Sequence, residues 1–146
     1  MNRRLASIVI GCAVLAGAAT VGVAQTDVVK QRETLMKEYG SDTRPVAGML
    51  RGANAFDLAT VQKALDTYAA NSKKLIDLFP AASGEGTDAL PAIWERKAEF
   101  DALFAKLAAD ATAARASITN EASFKANFPA VIRTCGTCHD SFRQKS

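Results

Sequence analysis

The feature that most restricts this chain is a spacing. From Val28 to Phe142 its apolar residues return every three or four positions, and no segment alternates apolar and polar residues over the length of a strand. Such stripes are the buried faces of amphipathic helices. The first segment, from about Asp27 to Leu50, carries Val28, Leu35, Met36 and Tyr39 along one side, with Glu33 and Lys37 as an i,i+4 pair on a solvated side. Gly40 and Pro45 are the residues expected to kink or interrupt it. A second helix follows Asp57 as N-cap, buries Leu58, Val61, Leu65, Tyr68, Leu75 and Phe79, and ends at Phe79-Pro80.

The stretch AASGEGTDAL is the one long loop. Pro91 suits the first turn of a third helix, running to about Ala116 with the stripe Ile93, Phe100, Phe104, Leu107, Ala111 and Ala114. The last segment gives Phe124, Phe128, Val131, Cys135, Cys138 and Phe142; Pro129 predicts either a kink or a late start, and the pattern does not choose between them. Four stripes joined by mostly short connections predict an all-α, antiparallel up-down-up-down four-helix bundle.

Residues 1–24 read differently. Arg3 and Arg4 precede an apolar run beginning near Ile8, and small residues, Gly22 and Ala24, sit at the spacing of a signal-peptidase site. Cleavage after Ala24 would remove Cys12 and leave one domain over residues 25–146, a length suited to a single core. A retained membrane anchor would need about 20 apolar residues, which this Gly- and Ala-rich run just grazes. The expectation is export, with no stable membrane insertion once the signal is gone. The full-chain net charge of +3 falls close to neutral without Arg3 and Arg4, so nothing in it suggests nucleic acid.

Cys135, Cys138 and His139 stand in the spacing Cys-x-x-Cys-His. A thiol–disulfide oxidoreductase would set the cysteine pair at a strand-to-helix junction, and there are no strands here. Structural zinc needs four ligands, commonly from two separated pairs, and there is no second cluster. Haem attachment fits: two thioethers and a coordinating imidazole come from about one helical turn, on a stripe facing a core that can enclose an apolar macrocycle. One covalently attached haem c is therefore expected, held by Cys135 and Cys138 with His139 on the iron. Asp140 and Arg143 are placed to tune that imidazole.

The opposite face of the iron decides between electron transfer and gas binding. His139 is the only histidine, which excludes a second imidazole, and after cleavage Met36 and Met49 are the only methionines. In the expected bundle His139 lies level with the early part of the first helix; Met49 would be about 20 Å further along than Met36 at 1.5 Å per residue. Met36 is the better placed, although methionine on an apolar face commonly just fills a core. Arg32, four residues earlier on the same face, is placed to meet a haem propionate while Met36 meets the iron.

Through RETLMKEYG, LPAIWERKAEF and CGTCHDSFR the sequence resembles the cytochrome c′ family, the class II c-type cytochromes, over essentially all of the expected mature chain. The resemblance implies a four-helix bundle with haem near the C-terminus. Many members leave the sixth position empty behind an aliphatic residue, and counting from the matching Arg32 that position falls on Met36. It thus resembles the low-spin cytochrome c-556 branch, which implies methionine ligation and an electron carrier. The resemblance also implies a propionate partner in Arg32, an arginine near the exposed haem edge in Arg143, a periplasmic location, redox protein partners and the option of a homodimer through an exposed stripe on the first two helices. Trp94 and Phe100 are expected as packing residues first, with a place on the haem wall as the alternative. No substrate or catalytic residue is expected, so the chain reads as no enzyme. The alternative reading is a five-coordinate protein binding nitric oxide or carbon monoxide, with Met36 packing over an open iron.

Overall fold

The computed structural model describes residues 18–145. Residues 1–17, with Cys12 and most of the expected signal peptide, lie outside the described residues. Four long helices, α1 (Ala18–Leu50), α2 (Leu58–Leu75), α4 (Lys97–Ser117) and α5 (Glu121–Phe142), run antiparallel, with a single-turn helix α3 (Ala92–Glu95) ahead of α4. A 3₁₀ turn over Ile76–Leu78 extends α2 to the long connection. No described helix is long and apolar enough to cross a membrane.

Local chemistry explains most of the boundaries. Asp57 caps α2, its carboxylate accepting from the Thr60 amide at 3.1 Å. Asn120 opens α5 with a reciprocal capping box, in which Asn120 Oδ1 accepts from the Ser123 amide and Ser123 Oγ accepts from the Asn120 amide. That fixes an early start for α5, and Pro129 is carried inside the helix. Likewise Gly40 and Pro45 do not end α1, which continues to Leu50 and also begins upstream of the expected Asp27. Burial outweighs propensity there: Val46, next to Pro45, is fully buried.

The third segment departs from expectation. A break at Arg96, with φ −123° and ψ 45°, separates α3 from α4. The break leaves both Ile93 and Phe100 in the core, while the Arg96 guanidinium lies 4.6 Å from the Phe142 ring centre and pairs with Glu99.

The core has two aromatic groups. At the end where α1 meets α2 and α4 meets α5, buried Phe128 meets both Phe124 and Tyr68, with Phe56 against Phe124. At the other end Phe79, Phe100, Phe104 and Phe142 meet mainly edge to face. We refer to these as the closed and open ends. α1 packs on α2, α2 on α4 and α4 on α5, while α1 and α5 approach each other little directly. Between them, at the open end, is a cavity.

Candidate functional site

Of the expected site residues, Cys135, Cys138, His139, Met36 and Arg32 all line this one cavity, of about 900 Å³. α5 supplies the first three because positions 131, 135, 138 and 142 share its inward stripe, and α1 supplies Arg32 and Met36 one turn apart. The walls are largely apolar, from Phe79, Ile93, Phe100, Leu103, Phe104, Leu107, Ile132 and Phe142. Phe100 is thus both a core and a wall residue. Trp94 is not part of the wall: its Nε1 donates to the Pro80 carbonyl at 2.9 Å and its ring covers Gly84, where a Cβ would sit 2.5 Å from a ring carbon.

Both cysteines are half-buried free thiols. Burial pushes the Cys135 thiol up, and burial with the neighbouring Cys135 pushes Cys138 up to about 11. They are neutral thiols at pH 7, on an apolar wall, with the imidazole of the next residue beside them. His139 itself stands at the mouth, exposed as a whole residue; partial burial of its ring lowers its pKa, Arg143 adds to this and Asp140 opposes it. A neutral imidazole is the form that ligates a metal.

On the facing wall Met36 is half-buried, and Arg32 is only 4% exposed. Arg32 Nη1 donates to Ser83 Oγ at 2.9 Å and to the Leu78 carbonyl at 3.4 Å. Its Nη2 donates to the Ser83 carbonyl at 2.6 Å and to Thr87 Oγ1 at 3.2 Å. Phe79 stacks beneath the guanidinium at 4.7 Å. None of the described carboxylates lies within ion-pair distance of it, and burial holds its pKa below the usual arginine value. A buried cation on a cavity wall without an acidic partner is suited to an anionic group entering that cavity.

Two polar groups beside the cavity were not singled out by sequence reasoning. Tyr39, expected only as a stripe residue, shares a 2.8 Å hydrogen bond with Ser72 Oγ and donates to the Tyr68 carbonyl at 3.2 Å. Thr43, one turn on, meets the Tyr68 hydroxyl at 2.7 Å. Tyr39 and Thr43 line the cavity, and their four-residue spacing from one another and near Met36 was the available signal. Arg143, on the rim, contacts Asp88 at 3.5 Å.

The donor set fits a covalently held haem. Two thiols and an imidazole come from one turn of one helix, the pocket is apolar and large, a thioether faces it, and an unneutralised guanidinium borders it.

Comparison with known proteins gives the same direction. The family model described as Cytochrome C' matches residues 27–143. Among curated relatives, cytochrome c' of Rhodopseudomonas palustris is 54% identical over 139 residues, spanning 91% of this chain and 95% of that protein. Cytochrome c-556 of Agrobacterium fabrum is 38% identical over 118 residues, spanning 80% of this chain and 81% of the relative. The solved cytochrome c' from Rhodopseudomonas palustris superimposes with a TM-score of 0.80 at 55% identity, over 82% of this chain and 98% of that one.

Proposed function

Because the chain belongs to the cytochrome c′ family, whose members carry one covalently attached haem c, we propose that it transfers single electrons with His139 and Met36 as the two axial ligands. When bound, the haem supplies a one-electron iron couple. Cys135 and Cys138 would hold the macrocycle through thioethers, and His139 would ligate the iron from α5. Met36 would ligate it from α1, and Arg32 would offer its charge to a propionate. The apolar wall would limit water at the iron and favour the less charged, reduced state. Asp140 and Arg143 bias the imidazole from its solvent side.

The observation that carries this reading is that Met36, of the two methionines in the expected mature chain, lines the cavity shared by Cys135, Cys138 and His139, whereas Met49 is 6% exposed in the core at the closed end. In this reading residues 1–24 are a signal peptide, residues 25–146 are the mature domain, and the protein works in the periplasm. Redox proteins would meet it at the cavity mouth, where His139 and Arg143 are exposed. No substrate and no catalytic residue enter the reading. A homodimer through α1 and α2 belongs to it as an expectation from the family.

One observation favours a second reading. The relative at 54% identity is named cytochrome c', the one at 38% cytochrome c-556. If this chain follows the first, Met36 packs over a five-coordinate iron open to nitric oxide or carbon monoxide.

Absorption spectra of the holoprotein, oxidised and reduced, with and without carbon monoxide, beside Met36→Ala, separate the two. Electron transfer through a six-coordinate iron predicts low-spin bands, a sulfur-to-iron charge-transfer band absent from the variant, and no reaction with carbon monoxide. A high-spin spectrum indifferent to the substitution, with ready carbon monoxide binding, would establish the gas-binding reading instead.

A further inference from the structure

The cavity is bordered on one side by residues 78–90, a connection that leaves the end of the 3₁₀ turn at Leu78, runs through turns and bonds to both helices facing each other across it. Toward α1, it surrounds the Arg32 guanidinium with the Leu78 carbonyl, both oxygens of Ser83 and the hydroxyl of Thr87. Toward the end of α5, the Leu90 amide donates to the Phe142 carbonyl at 3.0 Å and the Gln144 amide donates to the Asp88 carbonyl at 2.8 Å. Ala89 and Arg143 form an antiparallel bridge there. Arg32 is one turn from Met36, and Phe142 and Arg143 are within about one turn of His139.

The connection is built to hold a shape. Ser83 Oγ donates to the Pro80 carbonyl at 2.8 Å and Thr87 Oγ1 to the Gly84 carbonyl at 2.7 Å, so the two side chains that receive Arg32 also fold the loop on itself. Trp94 stacks on Gly84 from outside and donates to Pro80. Ala82 adopts φ +63° and Gly86 φ +70°, a conformation that glycine accepts freely and alanine seldom adopts. Ser83 is 3% exposed, which makes it a buried partner of a buried cation rather than a surface decoration. Since α1 and α5 touch each other little, the connection, bonded to both, bridges them directly at this end.

We propose that residues 78–90 are a strap, with Arg32, Ser83 and Thr87 as positioning residues, that sets the distance between α1 and α5 and so keeps the Met36 sulfur within reach of the iron held by His139. This rests on the Met36 ligation proposed above. The strap makes no bond to the iron itself. Loosening it lets the open end of α1 move away, and the population with Met36 off the iron rises.

The test is Ser83→Ala/Thr87→Val in the holoprotein, which removes the two hydroxyls while leaving Arg32, Met36 and all haem ligands in place. The charge-transfer band should weaken, and carbon monoxide should associate about tenfold faster or more, because the open fraction that admits it grows by that factor, equivalent to about 1.4 kcal/mol. Ser83→Thr/Thr87→Ser, which keeps both hydroxyls, should restore the parent behaviour. A band and carbon monoxide kinetics unchanged in the Ala/Val variant, with only its melting temperature lowered, would show the connection to be structural and overturn the strap. Should the Ala/Val variant not fold, the single substitutions Ser83→Ala and Thr87→Val replace it, with the same expected and overturning results. Met36→Ala in the same series distinguishes the two failures. If it opens the iron and the strap variants do not, the strap alone is wrong; if it changes nothing because the parent is already open, the ligation reading falls and takes the strap with it.

Discussion

The two ends of this bundle are made from the same helices and differ in what they leave unfilled. At the closed end α1 contributes Val46 and Met49, both buried, and they join a core in which Tyr68, Phe124 and Phe128 are almost fully enclosed. At the open end the same helix, a few turns earlier, contributes Arg32 and Met36 to the wall of a cavity of about 900 Å³. The closed end supplies burial, at about 1.5–3 kcal/mol for each large apolar side chain removed from water. The open end forgoes that packing so that a macrocycle can become the missing core. Met36 and Met49, chemically identical and 13 positions apart, are given different surroundings by their height in the bundle, one on a cavity wall and one in the packed core.

The largest effect that would break the comparison is loss of the covalent anchor. Cys135→Ala/Cys138→Ala should yield protein whose haem is extracted by acidified organic solvent, whereas the parent's stays with the polypeptide; retention by the variant would mean that other groups hold it. Next come the methionines. Met49→Ala should cost about 2–5 kcal/mol in denaturant unfolding, as expected for a buried side chain whose cavity cannot collapse, with the haem spectrum unchanged. Met36→Ala should do the reverse, altering the spectrum at a smaller cost in stability, since Met36 is only half-buried. If Met49→Ala moved the spectrum instead, the division between the two ends would be wrong.

The seam between the ends is polar, and alkaline pH should find it. Burial pushes the Tyr68 phenol up to about 12 and that of Tyr39 higher still, whereas unfolded phenols ionise near pH 10. Between these values the unfolded chain releases protons that the folded chain keeps, so unfolding is favoured as pH rises. The contribution is intact below about pH 10 and is lost as pH climbs toward and past about 12. Melting curves across that window should show a steep fall, shallower in Tyr68→Phe. At neutral pH, Tyr39→Phe should cost about 1–2 kcal/mol, since Ser72, fully buried, loses its 2.8 Å partner.

Much of this organisation was legible in the sequence, and for a physical reason. Helical stripes are local, so the four long helices, the Asp57 cap and the shared face of Cys135 and Cys138 could be read from spacing alone. The level of Met36 against His139 followed from helical rise and antiparallel order. What could not be read depends on contacts between distant segments. The break at Arg96 falls in the run Glu95-Arg96-Lys97, all good helix formers, and is set by packing of Ile93 and Phe100 on either side. Pro129 was ambiguous because its outcome depended on a cap nine residues earlier, at Asn120. Arg32 announced its face, but its partners Ser83 and Thr87 sit in a stretch with no periodicity, 51 and 55 residues away.

The capping box at the start of α5 gives the smallest effect and the sharpest control. Asn120 lies at the closed end, as far along α5 from His139 as the helix allows, and its side chain accepts from the Ser123 amide at 2.9 Å. Replacing it with alanine removes that acceptor and leaves an orphan amide at an exposed helix end, which water partly satisfies; the cost should be about 1 kcal/mol. Such a loss lowers the melting temperature by several degrees in a domain of this size, yet it touches neither wall of the cavity. Spectrum and carbon monoxide reactivity should therefore match the parent's at temperatures well below the melt. If a destabilisation of this size at the closed end also opened the iron, the two ends would be one cooperative unit. Altered ligand binding in any open-end variant could then no longer be attributed to the residue replaced.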